Sequence, residues 1–82
     1  MEKESLKFNI ILKPEAEGGF TVIVPALPGC VTYGEDLDEA KRMAKDAIKG
    51  YIVSLRKHKE AIPRDQENLF ASIEVKSSCA NA

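Results

Sequence analysis

The stretch PALPGCVTYGED occupies residues 25–36 and contains two prolines and two glycines. Proline has no backbone donor and cannot continue a central strand, so PALPG predicts a reversal of the chain. Residues 30–33 then predict a strand, and GED predicts the start of a helix. This stretch therefore decides the fold around it: a strand before the reversal, a strand after it, and then a helix.

Two strand patterns form a hairpin before this point. Residues 6–13 alternate with a period of two, which is typical of a strand with one apolar face. Pro14 ends the strand, and residues 15–19 include two glycines that suit a short hairpin loop. Residues 20–24 predict a β-branched second strand, so three antiparallel strands follow one another as a meander.

The helical pattern begins directly after the quoted stretch and continues for about five turns to Leu55. Asp36 and Glu39 have the spacing of a capping box, in which the Asp36 carboxylate accepts from the Glu39 amide and the Glu39 side chain reaches back. Gly50 lowers helix propensity by about 1 kcal/mol relative to alanine, or it permits close packing. Residues 62–63, Ile-Pro, end the helical region.

Residues 69–76 alternate again and predict a fourth strand. The predicted fold is α+β with the order βββαβ, in which strand four runs parallel to strand one and the sheet order is 3-2-1-4. The helix covers one face, so the opposite face, with Ile11 or Ile23 on it, favours self-association or a partner. We expect one domain over residues 1–76 and a flexible tail over residues 77–82.

The composition indicates one small soluble domain. A chain of 82 residues is too short to form a second core. With 44% hydrophobic and 30% charged residues, it is too apolar to be disordered. The longest apolar runs exclude a membrane span, and the charged start MEKESLK does not resemble a secretory signal. We therefore expect a cytoplasmic protein.

Charge is distributed unevenly, although the net charge is −1. Residues 1–39 contain eight acidic residues and three lysines (−5), whereas residues 40–65 contain eight basic and three acidic residues (+5). The meander brings the first hairpin loop and the start of the helix to the same end of the sheet. We name this the acidic end, after the six residues Glu15, Glu17, Glu35, Asp36, Asp38 and Glu39.

The acidic end has two interpretations. Acidic residues favour solubility in loops and are stabilised at helix N-termini, which explains them without a partner. Alternatively they bind a basic surface, since complementary charge speeds association and orients the partner. On this second interpretation, the candidate partner-binding residues are Glu15, Glu17, Tyr33, Glu35, Asp36 and Asp38.

Two catalytic interpretations are weaker. Cys30 follows a glycine turn, but a thiolate needs a base, and the only histidine, His58, lacks a clear orienting partner. A packed structural cysteine is the more usual state. One histidine with Cys30 and Cys79 does not make a zinc site; we expect free thiols, although a Cys30–Cys79 disulfide stays open.

The βββαβ order is also the first part of the ribonuclease H topology. Two-metal chemistry on that topology needs carboxylates from the first strand, the helix and the fourth strand. The predicted first strand has none, and Asp46 and Glu74 are insufficient by themselves. We expect no enzyme activity, no metal and no other cofactor.

The run GGFTVIVPALPGCVTYGEDLDEAKRMAKDAI, residues 18–48, resembles the HicB family of bacterial and archaeal antitoxins. In that family a strand ends in Pro-x-Leu-Pro-Gly-Cys, a polar strand leads to a glycine, and a capped helix follows with Glu-Ala near its start. With the first strand, the resemblance covers residues 6–56. Its structural motif here is Pro25, Leu27, Pro28, Gly29, Cys30, Gly34, Asp36, Glu39 and Ala40.

The resemblance implies a partial ribonuclease H fold without nuclease activity. It also implies a partner, a small basic HicA-like toxin that cleaves mRNA, whose active surface the antitoxin blocks. Many family members carry a carboxy-terminal DNA-binding module, and this sequence ends soon after strand four, so we expect a short form without promoter binding. We expect a homodimer or higher homo-oligomer.

One other class of function stays open from the residues. Residues 56–59 and Arg64 form a basic stretch that favours phosphate contacts. No aromatic stacking platform or recognition motif accompanies it. The alternative to an antitoxin is therefore a nucleic-acid-binding or regulatory module without a cognate toxin.

Overall fold

The computed structural model describes residues 5–64 and 69–80. Within them, three antiparallel strands precede a long helix, and a single helical turn lies near the end. This confirms the α+β class and the order of the first four elements. The elements are β1 (Ile11–Pro14), β2 (Phe20–Ile23), β3 (Val31–Gly34), α1 (Leu37–Lys57) and α2 (Ser77–Ala80).

The described strands form one sheet in the order β1-β2-β3. Phe20 of β2 pairs with Pro14 on one side and Gly34 on the other, so these three residues form one row. The loop after β1 and the junction between β3 and α1 therefore lie at the same end of the sheet, as predicted.

The first strand is shorter than predicted. It begins at Ile11 rather than at residue 6, and its ladder starts at the pair Ile11 and Ile23. Extending the ladder by two residues would bring it to Pro25, which has no backbone donor. The alternation of residues 6–10 is therefore not accompanied by strand pairing, although Phe8 and Ile10 do pack against the core.

The reversal at PALPG is confirmed, and three hydrogen bonds close it. The Val24 amide donates to the Cys30 carbonyl at 3.1 Å, the Leu27 amide to the Val24 carbonyl at 3.0 Å, and the Cys30 amide to the Leu27 carbonyl at 2.9 Å. Gly29 has a φ of 81°, in the left-handed region that favours glycine. The turn sets the register between β2 and β3.

The predicted helix start is also confirmed. Asp36 is the N-cap, and its Oδ1 accepts from the Glu39 amide at 2.7 Å. The Glu39 carboxylate accepts from the amide of Glu35, one residue before the cap, at 2.6 Å. One of the amides that a helix start leaves unsatisfied, that of Glu39, is thereby bonded, and the Glu35 amide just before the cap is bonded as well.

The helix ends in a Schellman motif. Lys59 has a φ of 58°, and its amide donates to the Arg56 carbonyl at 3.0 Å. The Glu60 amide donates to the Leu55 carbonyl at 2.8 Å. His58 precedes this turn as the C-cap, exposed, with its Nδ1 2.8 Å from the Ser54 carbonyl oxygen.

The core lies between α1 and one face of the sheet, in two adjoining clusters. Tyr51 of α1 ties the helix to the reversal, because its hydroxyl donates to the Pro28 carbonyl at 2.8 Å. Small residues on the helix allow it to approach the sheet closely. The buried residues of the clusters are Val22, Ala40 and Ala44 in the first, and Val24, Leu27 and Cys30 in the second.

The other face of the sheet carries a row of three aliphatic side chains, Ile11, Ile23 and Val31. Ile11 and Val31 are exposed. Among the described residues, no element covers this face, as the sequence predicts. In the same described part of the chain, no helix combines the length and the apolar character needed to cross a membrane.

Residues 69–76 have no regular secondary structure and are exposed throughout. The fourth strand, its parallel pairing and the ribonuclease H-like completion of the sheet are therefore not shown. Ser77–Ala80 form a short helical turn within the predicted tail, residues 77–82, of which residues 81–82 lie outside the described part. The domain limits stay a prediction.

Candidate functional site

The acidic end is built by two loops that a tyrosine joins. Tyr33, near the end of β3, donates a hydrogen bond from its hydroxyl to the carbonyl oxygen of Gly18 at 2.8 Å. Gly19 has a φ of 81°, and a β-carbon there would overlap the Tyr33 hydroxyl. Glycine at residue 19 therefore lets the tyrosine lie over the hairpin loop.

A pocket of about 490 Å³ lies at this junction. Glu15, Glu17 and Tyr33 line it together with residues 16 and 18, so the fold brings these three predicted residues together. Glu15 is half-buried, and its carboxylate accepts from the Thr21 hydroxyl at 2.5 Å. Glu17 is exposed.

Three of the six acidic residues have a structural role. Glu15 is bonded to Thr21, and Asp36 caps the helix. Glu39 bonds the Glu35 amide, and its other carboxylate oxygen lies 3.8 Å from Arg42. The structural interpretation therefore explains these three acids without a partner.

The other three acids are available for binding. Glu17, Glu35 and Asp38 are exposed. Within the described residues, their carboxylates make no hydrogen bond and no ion pair. The acidic end thus combines carboxylates held in the fold with carboxylates free to meet a basic surface.

A larger groove lies between residues 5–10 and α1. Its volume is about 820 Å³, and apolar side chains from both segments line it. Sequence analysis did not identify this groove, although the alternation of residues 6–10 and lysines four apart on the helix were the available signals. Its apolar lining includes Phe8, Ile10, Ile48 and Ile52, and its basic residues are Lys7, Lys41, Lys45, Lys49 and Arg56.

Cys30 has the structural role that the sequence favours. It is 6% exposed and packs with Val24 and Leu27. Burial raises the pKa of the Cys30 thiol, which disfavours the thiolate that a nucleophile needs. His58 is exposed at the end of the helix, where its ring contacts a backbone carbonyl.

In residues 5–64 and 69–80, no group of three or more histidine, cysteine, aspartate or glutamate side chains could hold a metal ion. Cys30 is a free thiol. The candidate site at the acidic end presents exposed carboxylates beside a partly exposed tyrosine.

Several known proteins are similar in sequence to this chain. A UPF0150 protein of Thermoplasma acidophilum is 48% identical over 60 residues, which cover 73% of this chain and 87% of that protein. A UPF0150 protein of Archaeoglobus fulgidus is 40% identical over 47 residues, covering 57% and 68%. Antitoxin HicB 1 of Photorhabdus laumondii is 36% identical over 45 residues, covering 55% of this chain and 29% of that protein.

A sequence model of a protein family matches residues 8–78, which include all the strands and α1. The family is described as the HicB-like antitoxin of bacterial toxin-antitoxin systems. The matched segment contains the PALPG reversal, the capped helix and Gly34, where a β-carbon would overlap the backbone of Ala40, so the motif that carried the resemblance is the one that builds this fold. The chain belongs to the HicB-like antitoxin family.

Proposed function

We propose that this antitoxin binds a small basic HicA-like toxin through its acidic end and covers the RNA-binding surface of that toxin, with no catalysis of its own. The observation that carries the proposal is the set of exposed carboxylates of Glu17, Glu35 and Asp38 beside Tyr33. A toxin that binds RNA must present positive charge to phosphates. An acidic surface competes for that charge directly.

The structure favours binding because the acidic end is ordered before a partner arrives. The Tyr33 hydrogen bond holds the hairpin loop, and the Asp36 cap holds the start of the helix. A surface that is already ordered loses less conformational entropy on binding. Tyr33 is 46% exposed and adds an aromatic contact of the kind enriched at protein interfaces.

The experiment that tests this proposal is purification of the tagged protein from its native host, with a moderate-salt wash. Intact-mass spectrometry then identifies what stays bound. We expect a stoichiometric small basic protein whose ribonuclease activity returns once it is released. Recovery of this protein without such a partner would contradict the proposal.

We also infer the finer fold and location. Residues 69–76 complete the sheet as a strand beside β1, parallel to it, which gives the order 3-2-1-4 of a partial ribonuclease H fold. The alternation of these residues supports the inference. The protein acts in the cytoplasm, where a toxin that cleaves mRNA has its substrate.

One observation favours a second candidate, nucleic-acid binding. Lys41, Lys45 and Lys49 recur four apart on α1 and lie along the groove with Lys7 and Arg56. Such a basic stripe can contact successive phosphates. A titration of labelled duplex and single-stranded RNA and DNA across salt concentrations tests this candidate. Tight binding that falls steeply with salt supports it, and weak binding at low salt rejects it.

A further inference from the structure

Two apolar surfaces of this chain are uncovered and match each other. One is the groove between residues 5–10 and α1. The other is the segment of residues 69–76, which we call the arm. Within the described residues the arm does not line the groove, and both surfaces present apolar side chains.

The arm has the pattern of a half-buried strand but is not buried. Leu69 is 97% exposed, Ile73 is 86% exposed and Val75 is 62% exposed. In an extended strand these three residues would share one face with Ala71, because side chains two apart in a strand point the same way. An apolar face with this exposure marks a surface that is covered by another element or another molecule.

The groove lies where a further strand would fit. β1 has a ladder neighbour only on its β2 side within the described sheet, so its other edge is open to pairing. The groove runs beside the segment that leads into β1, and Phe8, Ile10, Ile48 and Ile52 line it. A strand placed there would bury one face against the helix and would pair through its backbone with the edge of the sheet.

The shape of the chain favours a second copy as the source of that strand. A helix of 21 residues is about 32 Å long at 1.5 Å per residue, whereas the chain extends 58 Å along its longest axis. The exposed arm therefore projects from the body formed by the sheet and α1. An arm folded back into its own groove would bury Leu69 and Ile73, and both are exposed.

We propose that the protein forms a symmetric dimer in which the arm of each copy fills the groove of the other. When two copies exchange arms, both grooves and both arms are buried. No apolar arm or groove is then left to bind a third copy, so the assembly is a closed dimer. Each large aliphatic side chain that becomes fully buried strengthens association about tenfold or more. This inference rests on the completed sheet proposed above and is independent of toxin binding.

Photo-cross-linking of the full-length protein tests which copy supplies the strand. Benzoylphenylalanine is placed at Val75, and the labelled protein is mixed, after unfolding and refolding together, with unlabelled protein grown in ¹⁵N medium. We expect cross-linked peptides that join the arm to groove residues and carry both isotopes. Cross-links to the groove within one isotope only would overturn the exchange, because the arm would then fill its own groove.

A matched pair of variants tests the face of the arm. Ile73→Asp places a charge on the apolar face, whereas Ser72→Asp places the same charge on the opposite face. We expect Ile73→Asp to weaken the dimer at least about a hundredfold in sedimentation equilibrium and Ser72→Asp to change it less than about threefold. A monomeric parent protein, or equal effects of the two variants, would overturn the proposal.

Both measurements use the purified protein without a toxin. Circular dichroism at the concentrations used establishes that each variant retains α1. Loss of the dimer in Ile73→Asp with an intact helix supports the exchange whatever the outcome of the toxin search. Failure of the toxin search with a normal dimer would count against the proposed function alone.

Discussion

The backbone of Ala40 in α1 lies against Gly34 at the end of β3, so close that a β-carbon on Gly34 would overlap the nitrogen and α-carbon of Ala40. Both residues are buried. The contact sets how near the helix comes to the sheet. Because Glu39 directly precedes Ala40 and the Ala40 amide donates to the Asp36 carbonyl at 2.8 Å, the same contact also positions the cap at the acidic end.

Gly34→Ala tests this contact. The added methyl group meets backbone atoms, which cannot move aside as a flexible side chain can, so the helix and the sheet must separate. We expect a loss of about 2 kcal/mol or more in the free energy of unfolding, measured by urea denaturation. Gly50→Ala is the control.

At Gly50 a β-carbon would have no neighbour within 4 Å apart from the helix's own nearby backbone. Close packing therefore does not explain this glycine, and only its poor helix propensity remains. We expect Gly50→Ala to stabilise the protein by about 1 kcal/mol. Destabilisation by Gly50→Ala, or a neutral Gly34→Ala, would contradict the packing described here.

The end of the helix provides a second prediction. Lys59 adopts a φ of 58° without being a glycine, in the position that glycine usually occupies in a Schellman motif. Lys59→Gly should raise the free energy of unfolding by up to about 1 kcal/mol, because the left-handed conformation costs a residue with a side chain about that much. Thermal denaturation measures the change.

Lys59→Ala serves as the control for the lost charge. Alanine removes the same ammonium group but keeps the β-carbon. The free energy of unfolding of Lys59→Ala should therefore remain within about 0.3 kcal/mol of the parent value. An equal increase in the free energy of unfolding in Lys59→Ala and Lys59→Gly would show that the lost charge, and not the backbone conformation, causes the stabilisation.

A third prediction separates the structural and the binding roles of the acids. Asp36→Ala removes the acceptor for the Glu39 amide and should cost about 1 kcal/mol of stability. Asp36→Asn retains a good N-cap and should cost less than about 0.5 kcal/mol. Asp38→Ala should also have a small effect on stability, because its carboxylate bonds no other described residue.

The fourth prediction concerns charge at the acidic end. The double variant Glu17→Lys with Glu35→Lys should slow association with the cognate toxin by at least about tenfold at low salt, and the difference should shrink at high salt. The control, Asp46→Lys with Glu60→Lys, makes the same change in net charge away from the acidic end. Stopped-flow or surface-based kinetics would measure both.

Equal slowing by the two double variants would assign the effect to net charge. Unchanged kinetics in the first variant would remove the acidic end from the interface. Glu15 is excluded from the test because its carboxylate bonds Thr21, so its replacement would also disturb the hairpin.

The fifth prediction follows from the burial of Cys30. Desolvation raises the pKa of this thiol in the folded protein above its value in the unfolded chain. The unfolded chain therefore loses the proton first as pH rises, and the folded state is destabilised above the unfolded pKa, about 8.5. We expect the free energy of unfolding to fall as the pH rises above about 8.5, and to fall less in Cys30→Ala.

Alkylation gives an independent measurement of the same burial. In a Cys79→Ala background, iodoacetamide should modify Cys30 at least about tenfold more slowly in native protein than in urea-unfolded protein at pH 8. Rapid alkylation of the native protein would show that the thiol is accessible, contrary to its 6% exposure.

Local signals in the sequence predicted much of this fold. Pro28 and Gly29 predicted the reversal because proline lacks a donor and glycine tolerates positive φ, and Gly29 does have a φ of 81°. Asp36 and Glu39 predicted the cap because their spacing matches one helical turn. Each of these signals acts over a few residues, so the sequence alone was sufficient to predict the reversal and the helix cap.

Other features depend on which segments meet, and they could not be predicted in this way. The ladder between β1 and β2 does not extend to residues 6–10, because the facing strand reaches Pro25. The alternation of residues 6–10 does not reveal which residues of β2 they would face. Glu39 reaches the Glu35 amide, beyond the cap itself. The division of the six acids into bonded and available carboxylates likewise depends on Thr21, across the first hairpin from Glu15, and on Arg42, one turn after Glu39 on α1.

The sequence by itself thus determined the order of the first four elements, the reversal and the helix cap, because turn chemistry and hydrophobic period are local properties of the chain, and its motif identified the family. Only the tertiary structure decided that Gly34 meets Ala40, that Tyr33 closes the hairpin loop, and that residues 69–76 lie exposed away from the groove. These features depend on how separate elements pack, since Gly34 and Ala40 lie in different elements and Tyr33 bonds a loop 15 residues earlier in the chain.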